Sequence, residues 1–133
     1  MNTKLRNSIS KSSPFTNHLK FEMKINNNEV VTTLKVENYH LNVKNTVHGG
    51  VLATMLDNVI GDSIAIAVNC PVITINLNIH YVAPVKVDSL LTASAKVIQQ
   101  GYRISMAEGI IKDEKGNVIA KGIGTFKIIR EKS

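Results

Sequence analysis

An α+β fold is predicted from this sequence on three observations. Ile and Val together number 30 against 9 Leu, and side chains stiff at χ1 favour pleated sheet over a helical bundle. Residues 50–68 carry the one convincing helical apolar period. Four strand-like segments separated by short turns then follow it, which is the pattern of an antiparallel sheet laid against a helix. The predicted order is β-β-α-β-β-β-β.

Each element has its own justification. Residues 1–17 are polar and end at Ser13-Pro14, so they read as a tail or short lead-in helix before a single domain over residues 18–130. Lys20 to Ile25 and Glu29 to Val36 suit strands, and Asn26-Asn27-Asn28 between them is a hairpin signal because Asn tolerates positive φ. Residues 37–47 lack a period and read as a loop, a candidate functional segment by length. In the helix, Val51, Leu52, Met55, Leu56, Val59, Ile60, Ser63, Ile64 and Ala67 form a broad apolar stripe. The opposite side carries Gly50, Ala53, Thr54, Asp57, Asn58, Gly61 and Ala65, small enough for a backbone or ligand to approach, and is also expected to be covered.

After Cys70-Pro71, residues 72–82 alternate: Ile73, Ile75, Leu77, Ile79 and Tyr81 are expected on one face, and Thr74, Asn76, Asn78 and His80 on the other. Further strands are predicted over 89–99, Tyr102 to Lys112 and Val118 to Ile129, with Gly122 and Gly124 marking a bulge or a close approach.

Composition narrows the function classes. At 133 residues and 14.6 kDa there is room for one domain, and 44% hydrophobic with 20% charged residues is globular composition. The single Cys70 cannot form an internal disulfide, which suits a reducing, cytoplasmic setting. The N-terminal MNTKLRNSIS has no apolar stretch typical of a secretory signal, and no uncharged apolar run approaches the ~18–20 residues of a membrane helix. Net charge is +6, yet residues 45–85 hold Asp57 and Asp62 and no Lys or Arg. A basic rim around an uncharged middle can steer an anionic ligand, nucleotide phosphates among them. With six aromatic residues, no Trp and no basic stripe, a nucleic-acid partner is not expected.

Four features carry candidate chemistry. Asp57 lies inside the helix with Ala53, Thr54, Ile60 and Gly61 at its i±3 and i±4 positions, so it has no basic partner there. Buried, such a carboxylate acquires a raised pKa suited to general-base work; facing solvent, it is ordinary, and the residues alone leave both open. His48-Gly49-Gly50 opens the helix, where unpartnered amides at the positive dipole end can bind a carbonyl oxygen gaining negative charge, unless the turn is merely tight and His48 a cap. Asn42 precedes it in the loop, and Thr74 begins the polar stripe of the following strand. Nine residues separate His48 from Asp57, about 13 Å of helix rise. If Asp57 and the Gly49 amide act on one substrate atom, they come from different subunits, and a homodimer follows.

The segment Asn42-x5-His48-Gly49-Gly50-x6-Asp57, with a strand carrying Thr74 and ending Tyr81-Val82-Ala83-Pro84, resembles the hotdog-fold acyl-CoA thioesterases of the PaaI (phenylacetate-degradation) type, from about Pro14 to Ile129. The resemblance implies a hotdog fold, an antiparallel β-sheet wrapped around one long central α-helix, paired edge to edge as a homodimer and often as a homotetramer. It implies Asp57 as general base or nucleophile, the Gly49 amide as polariser of the thioester carbonyl, Asn42 as its assistant, Thr74 as holder of the attacking water, and His48 as loop support. Gly50, Lys86 and Arg103 are the candidate substrate-binding residues, Arg103 because the Gly101-Tyr102-Arg103 turn resembles a segment near the nucleotide in relatives; Lys96 and Lys121 are weaker candidates. The implied activity is hydrolysis of an acyl-CoA to a carboxylic acid and free coenzyme A, which is part of the substrate and not a cofactor.

Thioester hydrolysis needs an activated water and an oxyanion site but hardly a general acid, because a thiolate leaves with pKa near ~8.5. No metal site is predicted, since His18, His40, His48 and His80 lack ligand spacing with one another or with Cys70. Three competing readings remain: a hotdog dehydratase or hydratase, which uses a His with a carboxylate and fits Asn42 and Gly-Gly poorly; a non-catalytic acyl-CoA-binding protein, for whose effector domain a 17-residue leader is short; and a generic dimeric scaffold, which leaves the unpaired Asp57 unexplained.

Overall fold

The computed structural model describes residues 3–130; Met1 and Asn2 of the expected tail lie outside them. Two helices come first, α1 (Thr3–Lys11) and α2 (Pro14–Leu19), then β1 (Glu22–Asn26), β2 (Glu29–Lys35), a 3-10 turn (Asn38–His40), α3 (Gly49–Val68), β3 (Val72–Tyr81), β4 (Leu90–Gln100), β5 (Ile104–Lys112) and β6 (Val118–Ile128). The segment expected as a tail or short lead-in helix thus folds as two short helices. Ser13 caps α2, its hydroxyl accepting from the Thr16 amide at 3.1 Å, with Pro14 in the first turn where a missing N–H costs nothing.

All six strands form one antiparallel sheet in the order β1-β2-β4-β5-β6-β3, so β3, although it follows α3 directly, lies at an edge. The first hairpin turns on Asn27 (φ 51°) and Asn28 (φ 67°), the left-handed pair its sequence anticipates. β1 starts at Glu22 rather than Lys20 because Lys20 is itself left-handed, ending α2. β5 starts at Ile104 rather than Tyr102, since residues 101–103 turn the chain: the Gly101 amide donates to the Ile104 carbonyl, and a Cβ on Gly101 would run into that oxygen.

The sheet wraps α3, which packs on every strand from β2 to β6. Met55, Leu56, Val59, Ile60 and Ile64 are fully buried against Leu34, Leu91, Ala93, Ala107 and Ile111. Among the described residues α3 is the one helix long and apolar enough to cross a membrane, and it is the buried core helix. It ends at Asn69 (φ 57°), whose amide returns to the Ala65 carbonyl before Pro71 stops the run. Two positions depart from the expected stripe: Ala67 is exposed, and the small side is only partly covered. Gly61 meets the Phe126 ring, while Ala53, Thr54, Asp57 and Asn58 stay half-buried beside open space.

The alternation expected along β3 breaks at a bulge. Thr74 pairs with Phe126 and Asn76 with Thr125, so Ile75 is an extra residue. Leu77 and Ile79 face the core as expected, but before the bulge Thr74 takes the helix-facing side, and Ile73 and Ile75 are left 58% and 54% exposed. Gly122 and Gly124 mark close approaches rather than a bulge: a Cβ on Gly122 would sit 2.9 Å from the Asn78 carbonyl oxygen of β3. We expect Gly122→Val to push β3 from β6 and lower stability by about 1–3 kcal/mol in urea denaturation, the cost of overpacking.

Candidate active site

Two clusters form around α3. The first surrounds Asp57, which is half-buried. The Thr74 hydroxyl donates to its Oδ1 at 2.7 Å, a contact that exists because the Ile75 bulge turns Thr74 toward the helix. A cavity of about 490 Å³ opens on this pair, bounded by Ala53, Thr54 and Asn58 of α3, Leu77 of β3 and Ser13, Phe15 and Thr16 of the α2 segment.

The second cluster is the start of α3. His48, extended at φ −61° and ψ 134°, caps it by accepting the Gly50 amide on Nδ1 at 2.8 Å. That acceptor role places the proton of the neutral ring on Nε2. Gly50 is therefore engaged within its own turn, whereas the Gly49 amide has no hydrogen-bond partner among the described residues. Tyr81 roofs this tip: its hydroxyl donates to the Gly49 carbonyl at 3.1 Å, and its ring would lie 3.4 Å from a Cβ on Gly49. Val47, Gly49, Leu52, Tyr81 and Pro84 line a hollow of about 270 Å³ here.

Asn42 faces its own loop. Its Oδ1 accepts from the Lys44 and Thr46 amides at 2.9 and 3.1 Å, and its Nδ2 reaches the Thr46 hydroxyl at 3.0 Å. It thereby shapes the loop that delivers His48, aided by the buried His40, whose Nδ1 accepts from the Glu37 amide and whose carbonyl receives the His48 amide. The charged candidates separate. Lys86 lies two residues past Pro84, near the Gly49 hollow, and Arg103 lies in the β4–β5 turn at the other end of the sheet. Lys121 is ion-paired with Glu108 at 2.8 Å. Cys70 sits half-buried with the Arg130 guanidinium 3.7 Å from its sulfur.

Two features escape the sequence reading. Phe15, in what reads as a tail, lines the Asp57 cavity while 60% exposed; the Ser13 cap followed by Pro14 was its available signal. The carboxylate with a raised pKa is Asp62, pushed from 3.8 up to about 7 by burial and, secondarily, by the charge of Asp57. It lies under the N-terminal helices in a second hollow, with Ser8, Ser12, Ser13, Thr16 and Asn58.

Residues 44–120, more than half of the chain and including His48, Gly49, Asp57, Thr74 and Tyr81 but not the α2 segment, match the family model described as the thioesterase superfamily. The chain belongs to the thioesterase superfamily. It is an enzyme of the thioester-hydrolase class with a PaaI-like hotdog fold, the sheet-wrapped helix expected above. Human acyl-coenzyme A thioesterase 13 is 30% identical over 100 residues, covering 71% of this chain and 69% of that one. A hypothetical thioesterase from Streptococcus pneumoniae, solved with coenzyme A, is 28% identical with a TM-score of 0.77, covering 85% of this chain and 88% of that one. Variants of that pneumococcal protein with an aspartate or a threonine replaced by alanine are also solved. The PaaI protein of Escherichia coli superposes with a TM-score of 0.83 at 21% identity, over 96% of this chain and 92% of that one, a likeness of fold.

Asp62 makes stability pH-dependent with a defined sign. Its folded pKa lies above the unfolded value, so protonation favours the native state, and stability falls as pH rises from 3.8 to about 7, then levels. Asp62→Asn is expected to be more stable than the parent at about pH 8 and to lose that advantage near pH 4, compared by urea midpoints.

Proposed function

We propose that this chain hydrolyses acyl-coenzyme A thioesters at a site completed by a second copy of itself. The observation that carries the reading is the separation of two complementary half-sites. Asp57 with Thr74 offers a base, and Gly49 offers an unpartnered amide at the positive end of α3, but eight residues of helix, about 12 Å, lie between them. No single carbonyl reaches both within one chain.

The edge strand supplies the geometry for joining them. Among the described residues β3 pairs only with β6, and it carries Ile73, Ile75 and Tyr81 exposed, with Val82 just past its end, an apolar edge suited to another strand. It runs from Thr74, beside Asp57, to Tyr81, above Gly49. An antiparallel, two-fold-related β3 therefore sets the Asp57 end of one chain against Gly49 of the partner subunit. The same pairing groups Arg103 of one chain with Lys86 of the partner subunit, where nucleotide phosphates need cations. Homodimers so formed can pair again into a tetramer.

In this site the Thr74 hydroxyl fixes Oδ1 of Asp57, leaving Oδ2 to take a proton from water. The resulting hydroxide attacks the thioester carbonyl, whose oxygen gains charge against the Gly49 amide of the partner subunit and the α3 dipole. Collapse of the tetrahedral intermediate breaks the C–S bond, and the departing thiolate recovers the proton from Asp57. No cofactor enters the scheme. His48 and Asn42 act on the geometry of the amide, not on substrate.

Asp57→Asn is expected to lower kcat by at least ~100-fold, within the range of general-base effects, with little change in melting temperature. Gly49→Pro removes the amide at a position where helices accept proline, after a His48 backbone already in the conformation proline requires, and is expected to be as inactive while still folded. Refolding the two inactive variants together tests the shared site. Half of the dimers are then mixed, each with one intact site, so activity recovers to about a quarter of the parent's. Absence of recovery, with mixed dimers shown to form, overturns the composite site.

A further inference from the structure

We infer that α2 is the acyl-selectivity element: Phe15 forms the side wall of the acyl pocket, and the hydrogen-bonded pair Thr16–Asn58 forms its floor. The inference rests on Asp57 being the water-activating base, because it reads the cavity beside Asp57 as the place where the acyl group lies.

The cavity of about 490 Å³ is large enough for an acyl chain or an aryl group, and its walls are of two kinds. Asp57, Thr74, Thr54, Ser13, Thr16 and Asn58 are polar, and Ala53, Leu77 and Phe15 are apolar. Phe15 is 60% exposed, so the core does not require it, yet its backbone is held firmly. At one end the Ser13 hydroxyl bonds the Thr16 amide and side chain at 3.1 and 2.9 Å; at the other the Leu19 carbonyl meets Nε2 of the buried His40 at 2.8 Å. A large apolar ring on an anchored single turn, left uncovered beside a cavity, is an arrangement suited to receiving apolar substrate.

The floor is a defined contact. Asn58 Nδ2 donates to the Thr16 hydroxyl at 2.7 Å, and Thr16 is 6% exposed. Ser13, Thr16 and Asn58 line both the Asp57 cavity and the hollow of about 270 Å³ that holds Asp62. The Thr16–Asn58 bond thus stands as a partition between two voids. Cutting back Phe15 widens the space available to an acyl chain, whereas cutting back Asn58 opens its floor onto the polar hollow of Asp62.

A panel of straight-chain acyl-CoA esters of increasing length, together with benzoyl- and phenylacetyl-CoA, tests this through thiol release. The chain-length profile of kcat/KM is read for the parent, Phe15→Ala, Phe15→Trp and Asn58→Ala. Phe15→Ala is expected to raise the ratio of long-chain to short-chain kcat/KM at least tenfold, Phe15→Trp to lower it, and Asn58→Ala, whose opened hollow is polar, to shift it less than Phe15→Ala does, with product inhibition by free coenzyme A within twofold of the parent. A uniform loss across all substrates, an unchanged profile, or a change in oligomeric state without a change in profile overturns the proposal. Asp57→Asn is assayed alongside: if it retains turnover, the base assignment has failed, whereas an inactive Asp57→Asn beside a flat Phe15 profile defeats only the acyl wall. Exposure of Phe15 makes its variants safe to fold, and a melting curve for each excludes misfolding as the cause.

Discussion

Burial of α3 is the constraint on which the rest of the molecule depends. Twenty residues carrying almost no charge have to leave water, and an antiparallel sheet curved around them removes most of their surface at once. The sheet can close on the helix only where side chains make room, and Gly109, Gly122 and Gly124 of β5 and β6 do so: Cβ atoms there would fall within about 3 Å of neighbouring atoms of Ile60, Leu56, Asn78 or Phe126. A helix held this tightly is a rigid ruler, and what it carries at its tip and its middle stays at fixed separation.

That rigidity gives the candidate chemistry its form. Asp57 cannot approach Gly49 along its own helix, which is why the proposed site draws on two chains. The acid end is finished by β3, where a single extra residue, Ile75, changes which way Thr74 faces and delivers its hydroxyl to the carboxylate. The amide end is finished by capping: His48 occupies the Gly50 amide and leaves that of Gly49 unpartnered. Bulge and cap are local departures from regular structure, and both place a polar group where the proposed reaction uses one.

Legibility varied with the range of the determining forces. The apolar period of residues 50–68 and the Asn-Asn hairpin act over a few residues, and the elements they predict are present with ends shifted by a residue or two. β3 was legible as a strand, and in its facing after the bulge, where Leu77 and Ile79 meet the core, but not before it at Ile73 and Thr74, because the bulge depends on how β6 pairs with it. Asp57 was visible as an acid lacking a basic neighbour; that the strongly raised pKa belongs to Asp62 was not, because the enclosure comes from helices some fifty residues earlier in the chain.

The sequence by itself determined the fold class, the order of the central helix and six strands, and the family motif from Asn42 to Asp57, since apolar periodicity, turn residues and motif spacing are written in consecutive letters. Tertiary structure alone decided that Thr74 meets Asp57, that Gly50 is engaged and Gly49 is not, and that α2 brings Phe15 to the cavity. Each of those outcomes is a distance between groups far apart in the chain or a choice between equivalent donors, and only the packing of the sheet around α3 selects it.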